Sequence, residues 1–197
     1  MGAENVLNGV EEKTQCYPER FSPIPATGAS SSGLKRVSPP PRVHLAQLAR
    51  EAAGSCVEKP CANEFEYRGD GPYSSRELLS VLTFSYGTGV FTLERIDELM
   101  QKDVLYFSLI GHKIPRPETL RGFRRLERLA LTSSLGKFFE LSATACQEHA
   151  SNPVEHEPWL AVLKLTRPIP RCTHSLGRLV RERVNQATWI DKMLLDY

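Results

Sequence analysis

In this chain a leucine-rich run and an amphipathic run are separated by Tyr86-Gly87-Thr88-Gly89-Val90-Phe91-Thr92, a stretch that no straight helix crosses. Upstream, Leu78, Leu79, Leu82 and Tyr86 recur at helical spacing, with Ser74 or Ser75 as candidate cap. Gly87 and Gly89 offer the permissive backbone that a helix stop and a reversal need. Thr92 then precedes LERIDELMQKD, whose apolar stripe is Leu93, Ile96, Leu99 and Met100. Whatever else the chain does, it must fold these two helices back on each other.

The same punctuation organises the rest. Asp103 is placed to cap a third short helix, VLYFSLIG, closed by Gly111. The turn Lys113-Ile114-Pro115-Arg116-Pro117 follows, and Pro117 suits the first position of a helix over ETLRGFRRLERLAL. Leu120, Phe123, Leu126 and Ala130 line one side of that helix; Arg121, Arg124, Arg125 and Arg128 line another. A further helix is expected over LGKFFELSATACQEHA. Residues 151–172 read as a loop because of Pro153, Pro158, Pro168 and Pro170. The last helix runs from Thr173 to Leu195, with Leu176, Leu179, Val180, Val184, Ala187, Ile190 and Leu194 on its apolar side. Toward the N-terminus, VHLAQLAREAAG reads as a helix stopped by Gly54, and residues 55–73 as an irregular connection. Residues 17–42 are rich in Pro, Ser and Gly and show no apolar period, the signature of a tail. The expectation is an all-α fold, a small helical bundle with a helix-turn-helix-like segment. Its parts are a disordered tail (1–42), a helical domain (43–150), a linker (151–172) and a C-terminal helix (173–197).

Composition bounds the chemistry. Apolar residues make up 41% of the 197 residues and charged residues 24%, so a core is available. No run is long enough to span a membrane, and the N-terminus shows no secretory pattern. The chain is read as cytoplasmic. Cys16, Cys56, Cys61, Cys146 and Cys172 are odd in number and contain no Cys-x-x-Cys pair, so neither a disulfide framework nor a zinc ribbon is expected. His149 and His156 near Cys146 are read as ordinary side chains, and His112 as a turn residue. No phosphate loop, nucleophile elbow or metal-binding His pair is present. Asp97, Glu98, Asp103, Asp191 and Asp196 are read as caps or exposed helix positions. The expectation is therefore no catalytic residue, no metal and no cofactor. Net charge is only +2, but the surplus is clustered at residues 116–128 and 164–183. An arginine stripe after a helix-turn-helix suits phosphate and guanine contacts. The plainer reading is a solvated face on which Glu118 and Glu127 pair part of the charge.

Residues 67–125 add a resemblance. Tyr73, Leu78, Leu79, Tyr86, Gly87, Gly89, Val90, Phe91, Arg95 and Ile96 fall in order. Asp103, Phe107, Leu109, Gly111, Pro117, Thr119, Leu120, Phe123, Arg124 and Arg125 continue the series. Together they resemble the N-terminal domain of bacterial DDE-type insertion-sequence transposases. Ser74-Ser75, Thr92-Leu93 and Glu118 depart from that family's His-Pro, Ser-Ser and Asp, while leaving plausible helix caps. ERVNQATWIDKMLLDY is more weakly similar to the helix that precedes the catalytic part in such transposases.

The resemblance implies a DNA-binding portion that recognises the terminal inverted repeats of an element in double-stranded DNA. It also implies that the RNase H-like core, with its metal-binding carboxylate triad, would begin where this sequence stops. The chain is thus expected to be no enzyme by itself. Arg124 and Arg125 are the leading contact candidates, supported by Arg121 and Arg128, with Arg116 and Arg95 as further candidates. The alternatives are a helical interaction protein, pairing with itself or with a full-length or split transposase through the apolar stripe 176–194, and a decayed transposase fragment.

Overall fold

The computed structural model describes residues 41–56, 64–111, 113–149 and 153–195. The tail assigned to residues 1–42 falls almost wholly outside them, as do Cys16, Cys61, His112 and Asp196 and the side chains of His149 and His156. Among the described residues the fold is all-α, apart from one two-stranded hairpin.

The reversal at residues 84–103 forms as the glycines require. Helices α1 (Pro41–Cys56) and α2 (Ser75–Gly87) pack together, and every residue of α2 from Leu78 to Gly87 is buried. Such a helix must satisfy its polar side chains internally. Ser80 donates to Arg76 O (2.7 Å), Ser85 to Val81 O (2.7 Å), and Thr83 bonds Ser134 (2.8 Å). At its end the Gly89 N–H donates to Tyr86 O and the Val90 N–H to Ser85 O, with Gly89 at φ +72°. That is a Schellman closure, and Gly89 is the residue whose backbone needs to be glycine.

Helix α3 (Leu93–Lys102) then runs back, burying Leu93, Ile96 and Met100. Asp103 caps α4 (Val104–Ile110) by accepting from the Leu105 N–H (2.9 Å), and it also pairs with Arg42. Helix α5 (Pro117–Leu126) follows with Pro117 at its first position. It stops sooner than its periodicity suggests. Glu127 breaks the run, and α6 (Arg128–His149) starts afresh, so Arg128 does not continue the α5 face.

Two segments depart from the sequence reading. Residues 64–73, part of the connection expected to be irregular, form with Ser74 strands β1 (Glu64–Tyr67) and β2 (Asp70–Ser74), turning at Arg68 and Gly69 with φ of +52° and +74°. Both central residues with positive φ make a tight hairpin turn, and alternation leaves Phe65 and Tyr67 facing α5. Tyr67 lies against Gly122, and Phe65 meets Phe123 edge-on at 5.1 Å. Residues 151–172, expected to be a loop, contain α7 (Pro153–Val162) with Pro158 inside it. Pro153 stands at the helix start, where no N–H is needed, and Pro158 costs one backbone bond. Burial of Trp159 and Leu163 offsets that loss. Last comes α8 (Thr173–Leu195), whose Leu176, Val180, Val184 and Ala187 enter the same core. The stripe expected to seek a partner helix is therefore largely occupied within this chain.

Asp70 ties the hairpin to the start of α5. It accepts from Thr119 Oγ1 (2.5 Å), the Arg116 N–H (3.0 Å) and Tyr73 OH (2.7 Å). Partial burial raises its pKa, but these donors and the Arg116 charge outweigh that and hold it below the usual value. A carboxylate with a depressed native pKa contributes stability above its unfolded pKa, and that contribution is lost as pH falls through the native one. Thermal melts from pH 5 downward should therefore show a steeper fall for the native chain than for Asp70→Asn. Parallel curves would remove Asp70 from the acid response.

Candidate nucleic-acid interface

The six arginines singled out in the sequence do not share one surface. Arg124, a leading candidate, is the most buried, with a side chain only 4% exposed. Its Nη1 donates to Tyr86 OH (3.0 Å) and to Ala187 O (3.3 Å), and its Nη2 donates to Asp191. Phase along α5 explains this: position 124 lies one turn after Leu120 and so joins Leu120 and Phe123 on the buried side of the helix, where Ala187 and Asp191 of α8 meet it. Arg124 is thus placed in the core, whereas the sequence reading ranked it among the leading DNA contacts. Three of its hydrogen bonds are made inside the protein, and they link α2, α5 and α8. Burial pushes the Tyr86 phenol up to about 12, with Arg124 pulling it down and Asp191 adding to the rise. The tyrosine is therefore a neutral partner of the pair at ordinary pH.

Arg121 is half-withdrawn. Its Nε lies 3.5 Å from Asp191 Oδ2 and its Nη2 4.0 Å from Glu94. Its partners are thus Asp191 and Glu94, in place of the Glu118 and Glu127 pairing considered from sequence. Asp191 was read as a cap or exposed position and is instead a buried counter-charge, 2% exposed, facing two guanidinium groups.

Arg125 and Arg128 are exposed. Although they lie on different helices, both line a depression of about 150 Å³ whose opposite wall is α8, with Thr188, Asp191 and Lys192. Arg128 Nη2 donates to Asn185 Oδ1 at 3.1 Å, which fixes its position against α8. Along α8, Arg181, Asn185, Thr188 and Lys192 follow at spacings of three and four and so share one polar face. Lys192 and Arg181 were not singled out in the sequence, although the same spacing that revealed the apolar side of α8 carried them. The only carboxylate among the described residues lining the depression is Asp191, which Arg124 already engages. Its rim is left cationic, with donors that suit phosphate oxygens.

The remaining two candidates are elsewhere. Arg116 is exposed at the start of α5, beside the hairpin. Arg95 sits on α3, pairs with Glu98 (2.5 Å), and lines a separate cleft beside the reversal. No cluster of His, Cys, Asp and Glu among the described residues could hold a metal ion, and no described helix is long and apolar enough to cross a membrane. Comparison with family models, with curated proteins and with solved structures returns no match to this chain.

Proposed function

We propose that this chain is a DNA-binding module of the transposase N-terminal type, acting on double-stranded DNA at the ends of an insertion element. The observation that carries this reading is the cationic rim formed by Arg125, Arg128 and Lys192, whose one lining carboxylate is already engaged. The order of motif residues across 67–125 supports the kind of DNA transaction. In this reading Arg125 and Arg128 contact phosphates from α5 and α6, and Lys192 with Arg181 extends the track along α8. Arg124 holds the three helices together and stays out of contact.

Anisotropy of a fluorescein-labelled random-sequence duplex tests this reading. Arg125→Glu with Arg128→Glu should weaken binding about tenfold or more and flatten the salt slope by about two, one for each lost phosphate contact. Helix content should not change, because both side chains are exposed. Unchanged affinity at matched salt would remove these residues from the interface and the reading with them.

A further inference from the structure

The reversal at Gly87–Thr92 borders a second, unassigned site on the other flank of α8. Ile190 lines it, whereas Thr188 and Lys192 line the arginine depression. The cleft holds about 530 Å³, within the range of small-molecule sites. Val90, Phe91, Leu99 and Val162 supply apolar wall, Arg42, Arg95 and Lys164 line it, and among the described residues no carboxylate does. At the adjoining rim Asp103 takes Arg42, while Glu98 takes both Arg95 and Lys102.

Lys164 of the cleft and Arg183 next to it form no ion pair among the described residues. Lys164 Nζ donates to Gly89 O (3.1 Å), and Arg183 Nη2 donates to Leu163 O (2.8 Å) and Lys164 O (3.3 Å). Both stand against one glycine: a methyl at Gly89 would lie 2.8 Å from Lys164 Cδ and 2.9 Å from Arg183 Nη1. The Arg183 guanidinium also lies over the Phe91 ring, 5.5 Å from its centre. Its residue is only 8% exposed, yet among the described residues no carboxylate pairs with it or with Lys164, and neighbouring Glu182 is turned to Arg178. Arg183 is thus a buried guanidinium held by backbone carbonyls, with Glu182 acting on it only electrostatically, and it stands beside the exposed Lys164.

Lys164 adds a backbone observation. The α7 helix closes with the Lys164 N–H on Ala161 O and the Leu165 N–H on Leu160 O, the same pattern that ends α2. Gly89 fills the left-handed position there; here Lys164 fills it at φ +50°, where a side chain is strained.

We propose that this cleft binds a phosphorylated ligand of mononucleotide size, its phosphate held by Lys164 with Arg183 behind it, and its apolar or aromatic body against Val90, Leu99 and Ile190. Lysine carries three donors, so the bond to Gly89 O leaves two for the ligand. The phosphate can belong to a free nucleotide or to the 5′ end of a single strand. The site stands independently of the duplex-binding reading.

Calorimetric titration of the full chain with inorganic phosphate, dAMP and a short 5′-phosphorylated single strand tests it. One saturable site is expected for dAMP or the strand, with phosphate alone weaker. The tighter of the two organic ligands identifies the source. Lys164→Gly should weaken binding about tenfold or more while leaving the melting temperature equal or higher, since glycine suits that backbone. Arg125→Glu with Arg128→Glu should bind these ligands as the native chain does. Absence of saturable heat with all three ligands, native affinity in Lys164→Gly, or phosphate binding as tightly as dAMP would overturn the proposal.

Discussion

Replacing Asp191 with Ala is expected to lower the stability of the fold by about 3–5 kcal/mol, the scale for breaking a buried ion pair from one side. The side chain is 3% exposed and faces Arg124 and Arg121, so its loss leaves a buried guanidinium with only the Tyr86 hydroxyl and the Ala187 carbonyl. Neither of those groups carries a compensating charge. Since whole domains are stable by about 5–15 kcal/mol, urea midpoints should shift far to the left. Asp191→Asn preserves the shape but removes the charge, so it should fall between native and Ala. The decisive comparison is the double variant Arg124→Leu with Asp191→Leu. Removing both charges should recover most of the loss, because the penalty belongs to the orphaned ion. If the double variant is as unstable as Asp191→Ala, packing of α8 and not charge explains the effect. The same logic explains why Arg124→Glu cannot probe nucleic-acid contact: it would place two carboxylates together in the core.

Gly87→Ala should cost about 1–3 kcal/mol, at the upper end of that range for an overpacked core. An added methyl would lie 2.3 Å from Phe138 Cε1 and 2.9 Å from Cδ1 and Cζ of the same ring. Phe138 is fully buried, so the ring can move only by displacing its neighbours. Phe138→Leu should relieve the clash. In a double-mutant cycle the pair should therefore cost less than the sum of the single changes, by about 0.5–3 kcal/mol. Strict additivity in thermal or urea unfolding would show that the contact does not limit stability. Gly89 differs in kind: its substitution is penalised by a φ of +72°. One glycine of the motif is kept for space, the other for conformation.

That distinction shows where sequence reasoning reaches its limit. Spacing alone identified α2, α3, the Asp103 cap, the proline start of α5 and the inward side of α8, because each depends on neighbours within a few positions. Spacing could not separate Arg124 from Arg125. They are adjacent and chemically identical, and what divides them is α8, whose Asp191 arrives 67 positions later. Nor could it place the break at Glu127, since Leu126 and Leu129 continue an apolar period yet are 70% and 84% exposed. The helix at 153–162 was masked by its prolines, although both tolerate the positions they hold once Trp159 is packed. The hairpin was hidden by Gly and Pro, and its alternation covers only four residues on one strand. The cation pair Lys164 and Arg183 lay within the basic cluster noted at 164–183, but only folding brings both to Gly89.

The link from Arg124 to Asp191 also sets a timetable. A ribosome delivers the arginine first and the aspartate 67 residues later, an interval of roughly 3–13 s at ordinary elongation rates. Throughout that interval Arg124 lacks Asp191 and Ala187, and of its partners in the folded chain only Tyr86 has been made. Final closure is thus tied to translation of one late helical turn.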